Sequence, residues 1–404
     1  MKDIEKLASQ LEILSPEEVA HWRNVRELVS EATRKLLDLK LETRARELLG
    51  NPNEALLLSL PPRNVLQGEF CLGNVIYGKQ EHGNISLTKK ELARHLAILG
   101  MSGSGKTNTV AHLLKQLITN EIPFLFLDWK RNARQFLNSL PKKIDIYTPG
   151  RELSPFAFNP FITPPDLEEN VYINRVADIL ANAYELREAS KSVLQKAISA
   201  CYAKGNKTPS VNEVLSQVDL LSSNKVSSEW KMRATRALES LQYTKIIPRD
   251  KISQEEVVKS LISSFTIVEL DGLSEAGKKF LIPLLCTWIY HQMLPTQKRQ
   301  ELNLVIIIEE AHNVFGTGSA SAVGRVMGSL IRQCRELGIG IFVIDQNPSQ
   351  MPIPVLGNCS TSICLNFKEE ADRRRAAGLS LMKSSESEWF SKLPVGHAVV
   401  KLQE

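Results

Sequence analysis

Apolar side chains recur at helical spacing through the first part of the chain. A predicted first helix places on one face Ile4, Leu7, Leu11 and Leu14. Residues 15–18 (Ser-Pro-Glu-Glu) then give the pattern of an N-cap, a first-turn proline and a capping-box glutamate. A second, long amphipathic helix is predicted from there to Gly50, where Gly-Asn-Pro is a C-terminal signal. Residues 1–60 are therefore predicted to be an N-terminal helical region, packed on the core or contacting a neighbouring subunit or partner.

From residue 95 onwards, short apolar runs alternate with helical segments. The predicted strands cover residues 95–99, 122–127, 144–147, 265–270, 304–308, 341–344, 362–365 and 397–402. Helices between them are predicted at residues 107–119, 276–293 and 320–337. Apolar strands separated by helices are typical of a parallel sheet that is covered on both faces. The fold class is therefore predicted to be α/β with a mainly parallel sheet.

A proline-rich segment at residues 154–166 interrupts the alternation. Helical periodicity without strand character follows it and continues until the strand at residue 265. We therefore predict a helical insertion at residues 161–259. It separates the two parts of the α/β core, residues 61–160 and 260–404.

Composition and charge narrow the classes of function. The chain of 404 residues has six scattered cysteines and no Cys-x-x-Cys pair, so a disulfide framework or zinc site is not expected. A net charge of +5 is compatible with nucleic-acid binding but does not argue for it, because recognition depends on where the charge lies. The longest apolar stretch, Phe280–Tyr290, is too short to span a bilayer, and no apolar signal core opens the chain. A cytoplasmic protein without membrane insertion is expected.

A phosphate-binding pattern lies between the first strand and the first helix of the alternation. Gly100, four further residues and Gly105-Lys106-Thr107 match the Walker A consensus. Backbone N–H groups of such a loop wrap the phosphates of ATP at the positive end of the following helix. Lys106 is expected to reach the β- and γ-phosphates, and the Thr107 hydroxyl to bind Mg²⁺. The predicted nucleotide-binding residues are Gly100, Ser102, Gly103, Ser104, Gly105, Lys106, Thr107 and Asn108.

Two carboxylates follow the apolar strand at residues 304–308. Glu309 is expected to hold Mg²⁺ through its water shell, and Glu310 to orient and deprotonate the attacking water. A separate base is typical of hydrolysing motors, whereas small-molecule kinases need no water activator. A GTPase is not expected, because the Asn-Lys-Thr run at residues 206–208 ends in Pro209, where guanine recognition would need Asp.

Polar residues also end two other strands. Gln346 is predicted to contact the γ-phosphate, since an amide can donate a hydrogen bond to phosphate while Asp345 would repel it. The alternative is a turn residue before Asn347-Pro348. Asp128 either supports the magnesium shell or caps the next segment.

Two arginines lie near the end of the helix before the strand at residues 341–344. Arginines there often only complement the helix dipole. Ring ATPases, however, need an arginine from a neighbouring subunit to neutralise transition-state charge. Arg335 is the first candidate for that role and Arg332 the second.

Five runs of this sequence resemble the HerA branch of the HerA/FtsK superfamily. They are residues 92–107, 124–128, 306–313, 335–340 and 345–349. The resemblance extends with gaps over about residues 68–402. It implies a RecA-like P-loop ATPase that forms a homo-hexameric ring and pumps double-stranded DNA. Conjugative and secretion ATPases are similar and share the run Asn159-Pro160-Phe161.

The resemblance also implies roles by position. Lys106 would bind phosphate, and Thr107 and Glu309 would bind magnesium. Glu310 would be the base, Gln346 the γ-phosphate sensor and Arg335 the trans arginine. Three positions depart from the family. Glu309 stands where Asp is more common, and Asp345 and Asn347 replace a hydroxyl residue and an arginine. The family's N-terminal β-barrel, which docks partners such as a nuclease, is not evident in residues 1–60.

Three segments are candidates for DNA contact: the glycine-rich residues 316–324 and the basic runs 129–134 and 373–375. Each is equally well explained as solvated surface. The sequence therefore predicts an ATP-hydrolysing ring motor that translocates or unwinds double-stranded DNA. Two alternatives remain: a secretion or conjugation motor, and an ATP-dependent ring that activates a partner effector such as a nuclease.

Overall fold

A computed structural model describes residues 2–50, 56–62, 67–222, 225–244, 246, 253–296, 299, 301–315 and 322–402. The chain forms two compact units, Met1–Thr88 and Lys89–Glu404.

The N-terminal unit consists of three helices and a β-hairpin. Its elements are α1 (Lys2–Glu12), α2 (Pro16–Leu28), α3 (Glu31–Leu49), β1 (Phe70–Tyr77) and β2 (Gln80–Leu87). β1 and β2 pair antiparallel. The unit has its own apolar core, formed by Ala8, Leu11, Val19, Trp22, Leu41, Ala45, Leu49 and Tyr77. The Tyr77 hydroxyl also donates to the backbone oxygen of Gln10, at 3.1 Å, and so fastens the hairpin to α1.

The single long helix predicted after residue 15 is wrong, because the chain breaks between α2 and α3. Val29 is extended, and the Ser30 hydroxyl accepts a hydrogen bond from the Thr33 N–H at 3.5 Å, which starts a new helix. The predicted capping box is also absent. The Ser15 side chain makes no cap bond, and its own N–H is bonded to the preceding turn at Leu11.

The C-terminal unit is built on an eight-stranded sheet with the order β10-β9-β3-β8-β7-β4-β6-β5. Its strands are β3 (Leu96–Leu99), β4 (Phe124–Asp128), β5 (Asp145–Tyr147), β6 (Phe265–Glu269), β7 (Leu304–Glu309), β8 (Ile339–Asp345), β9 (Thr361–Cys364) and β10 (Val399–Lys401). All neighbouring pairs are parallel except β10 with β9. The α/β class with a mainly parallel sheet is confirmed.

Helices follow most strands. They are α4 (Lys89–Leu92), α5 (Lys106–Thr119), α6 (Glu169–Ala183), α7 (Glu188–Ala203), α8 (Val211–Leu220), α9 (Lys225–Tyr243), α10 (Gln254–Ser263), α11 (Glu275–Met293), α12 (His312–Phe315), α13 (Ala322–Cys334), α14 (Ile353–Gly357), α15 (Glu370–Leu379) and α16 (Trp389–Lys392). Across the described part of the chain, no helix combines the length and apolar character needed to cross a membrane.

Helices α6–α9 form a bundle between β5 and α10, and α6 packs on α11 of the core. The Trp288 indole N–H donates to the Tyr172 hydroxyl at 3.1 Å, and that hydroxyl donates to the oxygen of Pro160 at 2.8 Å. Asn159 closes a tight turn by accepting the Phe161 N–H at 2.9 Å, and its amide donates to Pro209 at 3.1 Å. The Asn-Pro-Phe run therefore has a structural role, because it fixes the entry to the bundle.

The strand order brings the predicted site residues to one edge of the sheet. β8 lies between β3, which precedes the P-loop, and β7, which ends in Glu309. In the parallel register Leu99 is opposite Asp345, and Ile344 is opposite Glu309. The carboxyl ends of β3, β8, β7 and β4 therefore lie side by side.

Candidate active site

The P-loop connects β3 to α5 and has the backbone geometry that its glycines allow. Gly103 and Gly105 have φ values of 77° and 116°, which side chains rarely adopt. A Cβ at Gly100 would lie 2.6 Å from the Ser104 hydroxyl and 2.9 Å from the Leu365 side chain, so only glycine fits. Of the other predicted nucleotide-binding residues, Ser102 and Asn108 are exposed. The loop thus presents its backbone at the start of a 14-residue helix.

Lys106 lies within the loop rather than in solvent. Its ammonium group donates to the backbone oxygens of Gly100 and of Met101, the latter at 2.8 Å. Burial lowers the pKa of Lys106 to about 8, against the opposing effect of nearby carboxylates, of which Glu310 acts most strongly. The lysine remains largely protonated at neutral pH and can therefore neutralise phosphate charge.

Glu309 points toward β4 and faces the P-loop. It lines one small pocket together with Lys106 and Thr107. Its carboxylate accepts the N–H groups of Trp129 and Lys130, at 3.1 and 3.3 Å, and the Asn132 amide at 2.6 Å. Burial, followed by the charge of Asp128, raises the pKa of Glu309 to about 7. The structure thus brings together the two predicted magnesium ligands, Thr107 and Glu309.

Asp128 caps the segment after β4, which was one of the two roles considered for it. Its oxygens accept the N–H groups of Asn132 and Ala133, at 2.9 and 2.8 Å. It is fully buried and also hydrogen-bonds to Glu309. Burial raises the pKa of Asp128.

Glu310 turns away from Glu309 because its backbone is left-handed, with φ of 49°. Such a conformation is strained for a non-glycine residue and costs about 1–3 kcal/mol. It directs the Glu310 side chain toward β8, where its Oε1 accepts a hydrogen bond from the Gln346 amide. The same oxygen accepts the Lys130 ammonium at 2.6 Å. The predicted base and the predicted γ-phosphate sensor are therefore in direct contact.

Asp345 holds the adjacent turns in place. Its carboxylate accepts the backbone N–H of His312 at 2.7 Å and that of Asn347 at 2.8 Å. The His312 ring nitrogen Nδ1 lies 2.9 Å from the same carboxylate, and this hydrogen bond raises the pKa of His312. Neither His312 nor Asn132 was predicted from the sequence to be a site residue. His312 could have been found from its place directly after the carboxylate pair.

The basic run at residues 129–134 is engaged inside the unit. Arg134 forms two hydrogen bonds with the buried Glu269, at 2.6 and 3.0 Å. Arg131 lies 3.6 Å from Glu269 and 3.7 Å from Asp271. Lys130 pairs with a site carboxylate, as described above. These contacts argue against DNA contact by this run, because its basic side chains already pair with carboxylates of the same unit.

The structure describes one of the two other candidate segments for DNA contact, residues 373–375, and only the end of the other, residues 316–324. In the run 373–375, Arg374 pairs with Glu370 four residues earlier, and Arg373 and Arg375 donate to backbone oxygens of Lys368 and Met351. Residues 316–321 lie outside the described part of the chain.

Arg335 and Arg332 are not part of the cluster. Both are exposed, and Arg335 lies in the turn before β8, at the amino end of that strand. The cluster occupies the carboxyl end. A seven-residue strand is about 20 Å long. Arg335 is therefore far from the P-loop of its own chain.

A P-loop after one strand, two carboxylates after another and a polar strand end between them define a P-loop nucleotide hydrolase. With the parallel sheet and the second carboxylate, the class is that of the P-loop ATPases.

Comparison with known families specifies the branch. The family model described as "Helicase HerA, central domain" matches residues 70–289, more than half of the chain. A second, "Helicase HerA-like C-terminal", matches residues 273–372. The chain therefore belongs to the HerA helicase family, as the sequence resemblance predicted.

Two relatives are both named DNA double-strand break repair helicase HerA. The one from Sulfurisphaera tokodaii is 25% identical over 349 residues, which are 83% of this chain and 67% of the relative. The one from Sulfolobus acidocaldarius is 23% identical over 351 residues, with 82% and 67% covered. The chain thus spans about two thirds of the length of these relatives.

Solved structures support the fold. VirB4 of Thermoanaerobacter pseudethanolicus superimposes with a TM-score of 0.62 at 15% identity, over 83% of this chain and 96% of VirB4. The bacterial conjugative coupling protein TrwB gives a TM-score of 0.60 at 12% identity, over 79% and 84%. At these identities the likeness concerns the fold alone.

Proposed function

We propose that this chain is an ATP-hydrolysing motor that translocates along or unwinds double-stranded DNA as a homo-hexameric ring. The observation that carries the hydrolytic part is the contact of Glu310 with Gln346 beside the P-loop. This contact supports the proposal, because a carboxylate that could act as the base and a neutral donor lie together at the carboxyl edge of the sheet, where the P-loop also begins. The DNA part rests on family membership and on the names of the relatives.

In this proposal Lys106 binds the β- and γ-phosphates, and Thr107 and Glu309 hold Mg²⁺. Hydroxyl and carboxylate oxygens are the ligands that Mg²⁺ prefers. In the part of the chain that the structure describes, no group of three or more His, Cys, Asp or Glu side chains could hold a metal ion by itself. That agrees with Mg²⁺ binding together with ATP, since the ion then takes most of its ligands from phosphates and water.

The remaining parts of the proposal concern the role of Arg335 and the partners of the chain. Arg335 is exposed and distant from its own P-loop, which supports a role in the ATP site of a neighbouring subunit. The fold likeness to TrwB and VirB4 keeps a secretion or conjugation motor as the alternative. A nuclease or another effector as partner, and a cytoplasmic location, remain part of the proposal.

The test compares ATP hydrolysis with and without linear double-stranded DNA and measures the mass of the assembly. We expect stimulation by DNA and a mass of six chains. Glu310→Gln serves as the control that shows hydrolysis comes from this site. Hydrolysis unaffected by DNA, with assembly that depends on a partner protein, would support the effector-activating ring instead.

A further inference from the structure

The segment that follows β4, Trp129–Arg134, connects both site carboxylates to the rest of the sheet. We call it the β4 loop. Its backbone N–H groups at Trp129 and Lys130 bind Glu309, as does the side chain of Asn132. Lys130 additionally extends its ammonium group to Glu310. One residue thus contacts both members of the carboxylate pair, the first through its backbone and the second through its side chain.

The β4 loop is held on three sides, so the position of Lys130 is fixed. Trp129 is buried, and the ammonium of Lys278 lies 4.8 Å from the centre of its ring. Asp128 caps the middle of the loop, and Arg134 fastens its end to Glu269. Arg131 and Arg134 are therefore structural, and Lys130 is the cation of this loop that contacts the predicted base.

The hydrogen bonds of Glu310 are unequally distributed between its two oxygens. Oε1 accepts from both Lys130 and Gln346. Oε2 lies 3.7 Å from His312 Nδ1, which is beyond a hydrogen bond. Holding one oxygen leaves the other free to accept a proton. A carboxylate that acts as a general base needs such a free oxygen to face the attacking water.

We propose that Lys130 is a positioning residue for ATP hydrolysis, which fixes Glu310 through Oε1 so that Oε2 faces the attacking water. The proposal rests on the proposed role of Glu310 as the base. Lys130 is suited to it, because a charge-assisted hydrogen bond of 2.6 Å is short and strong. Its side chain is half exposed while that of Glu310 is only 7% exposed, so the charge is held over the buried carboxylate.

The test measures kcat and KM for ATP in the full-length protein, at saturating double-stranded DNA if DNA is required. Lys130→Met should lower kcat by at least about tenfold, within the ~10²-fold that misplacing a reacting group by about 1 Å can cost. The KM should change less than about twofold, since the Lys130 ammonium donates its hydrogen bond to Glu310 and not to a P-loop residue. Lys130→Arg should restore most of the rate, because it keeps the charge and the donor.

A matched control is Lys142→Met. Lys142 is also half exposed and pairs with a carboxylate, Glu121, at 3.1 Å, but outside the site. Its replacement should leave both constants unchanged. Circular dichroism and thermal unfolding of each variant will exclude misfolding as the cause.

Combination with Glu310→Gln separates the two assignments. If Lys130 acts through Glu310, adding Lys130→Met to Glu310→Gln should not slow hydrolysis further. An equal extra loss in that background would overturn the proposal, and so would a normal kcat in Lys130→Met with weakened DNA binding. Full activity of Glu310→Gln by itself would instead refute the base assignment and the proposed catalytic site.

Discussion

Replacement of Arg335 by alanine tests whether neighbouring subunits share each active site. Arg335 lies at the amino end of β8 and the P-loop at the carboxyl end of the adjacent β3. The strand between them is about 20 Å long, which an arginine side chain cannot span. Any direct contact of the Arg335 guanidinium with the transition state must then be made in another copy of the chain.

The expected loss is large. An arginine supplied in trans contributes about 10³–10⁵ to the rate, or about 4–7 kcal/mol of transition-state stabilisation. Arg335→Ala should therefore bind ATP normally and hydrolyse it slowly. Arg332→Ala tests the second candidate for the trans arginine, an exposed residue of α13 about one turn earlier. We expect it to retain activity.

The decisive assay mixes Arg335→Ala subunits with Lys106→Ala subunits, each inactive alone. In a randomly assembled equimolar ring, about a quarter of the junctions combine an intact Lys106 with an intact neighbouring Arg335. ATP hydrolysis should recover toward about a quarter of the wild-type rate if sites act independently. A mixture that stays inactive, although native mass spectrometry shows mixed rings, would refute the trans role of Arg335. Hydrolysis of ATP by Arg335→Ala at the wild-type rate would refute it as well.

Three further predictions concern nucleotide binding, DNA binding and the stability of the fold. Lys106→Ala should abolish tight ATP binding in a fluorescent-nucleotide assay, whereas Glu310→Gln should bind ATP and lose turnover. DNA affinity, measured by anisotropy, should fall about tenfold or more when salt is doubled and vary little with base sequence, if several phosphates are contacted. Burial lowers the pKa of His95 to about 4. In the unfolded chain His95 binds a proton at a higher pH than in the folded protein. The free energy of unfolding, measured by chemical denaturation, should therefore fall by up to about 3 kcal/mol between pH 6.5 and 4. The fall should be smaller in His95→Gln.

Local pattern was sufficient to predict the elements that build the ATPase unit. Strands such as β7 are continuous apolar runs, which is the pattern expected of a parallel strand that is buried on both faces. The P-loop was predictable because its glycines meet a local backbone requirement.

The contacts between side chains could not be predicted in the same way. Lys130 and Glu310 are 180 residues apart, and nothing near either residue specifies their pairing. The run at residues 129–134 therefore looked like exposed basic surface. The break before Ser30 was missed because the helical periodicity of apolar residues continues across it. Only the extended Val29 and the serine cap at Ser30 separate the two helices.

The separate core of the N-terminal unit has an evolutionary consequence. Every residue assigned to ATP, Mg²⁺ or the base lies in Lys89–Glu404, while Met1–Thr88 buries its own set of apolar side chains. A substitution in the core of Met1–Thr88 changes contacts within that core. The sequence of this unit can therefore vary without changing any residue assigned to ATP, Mg²⁺ or the base.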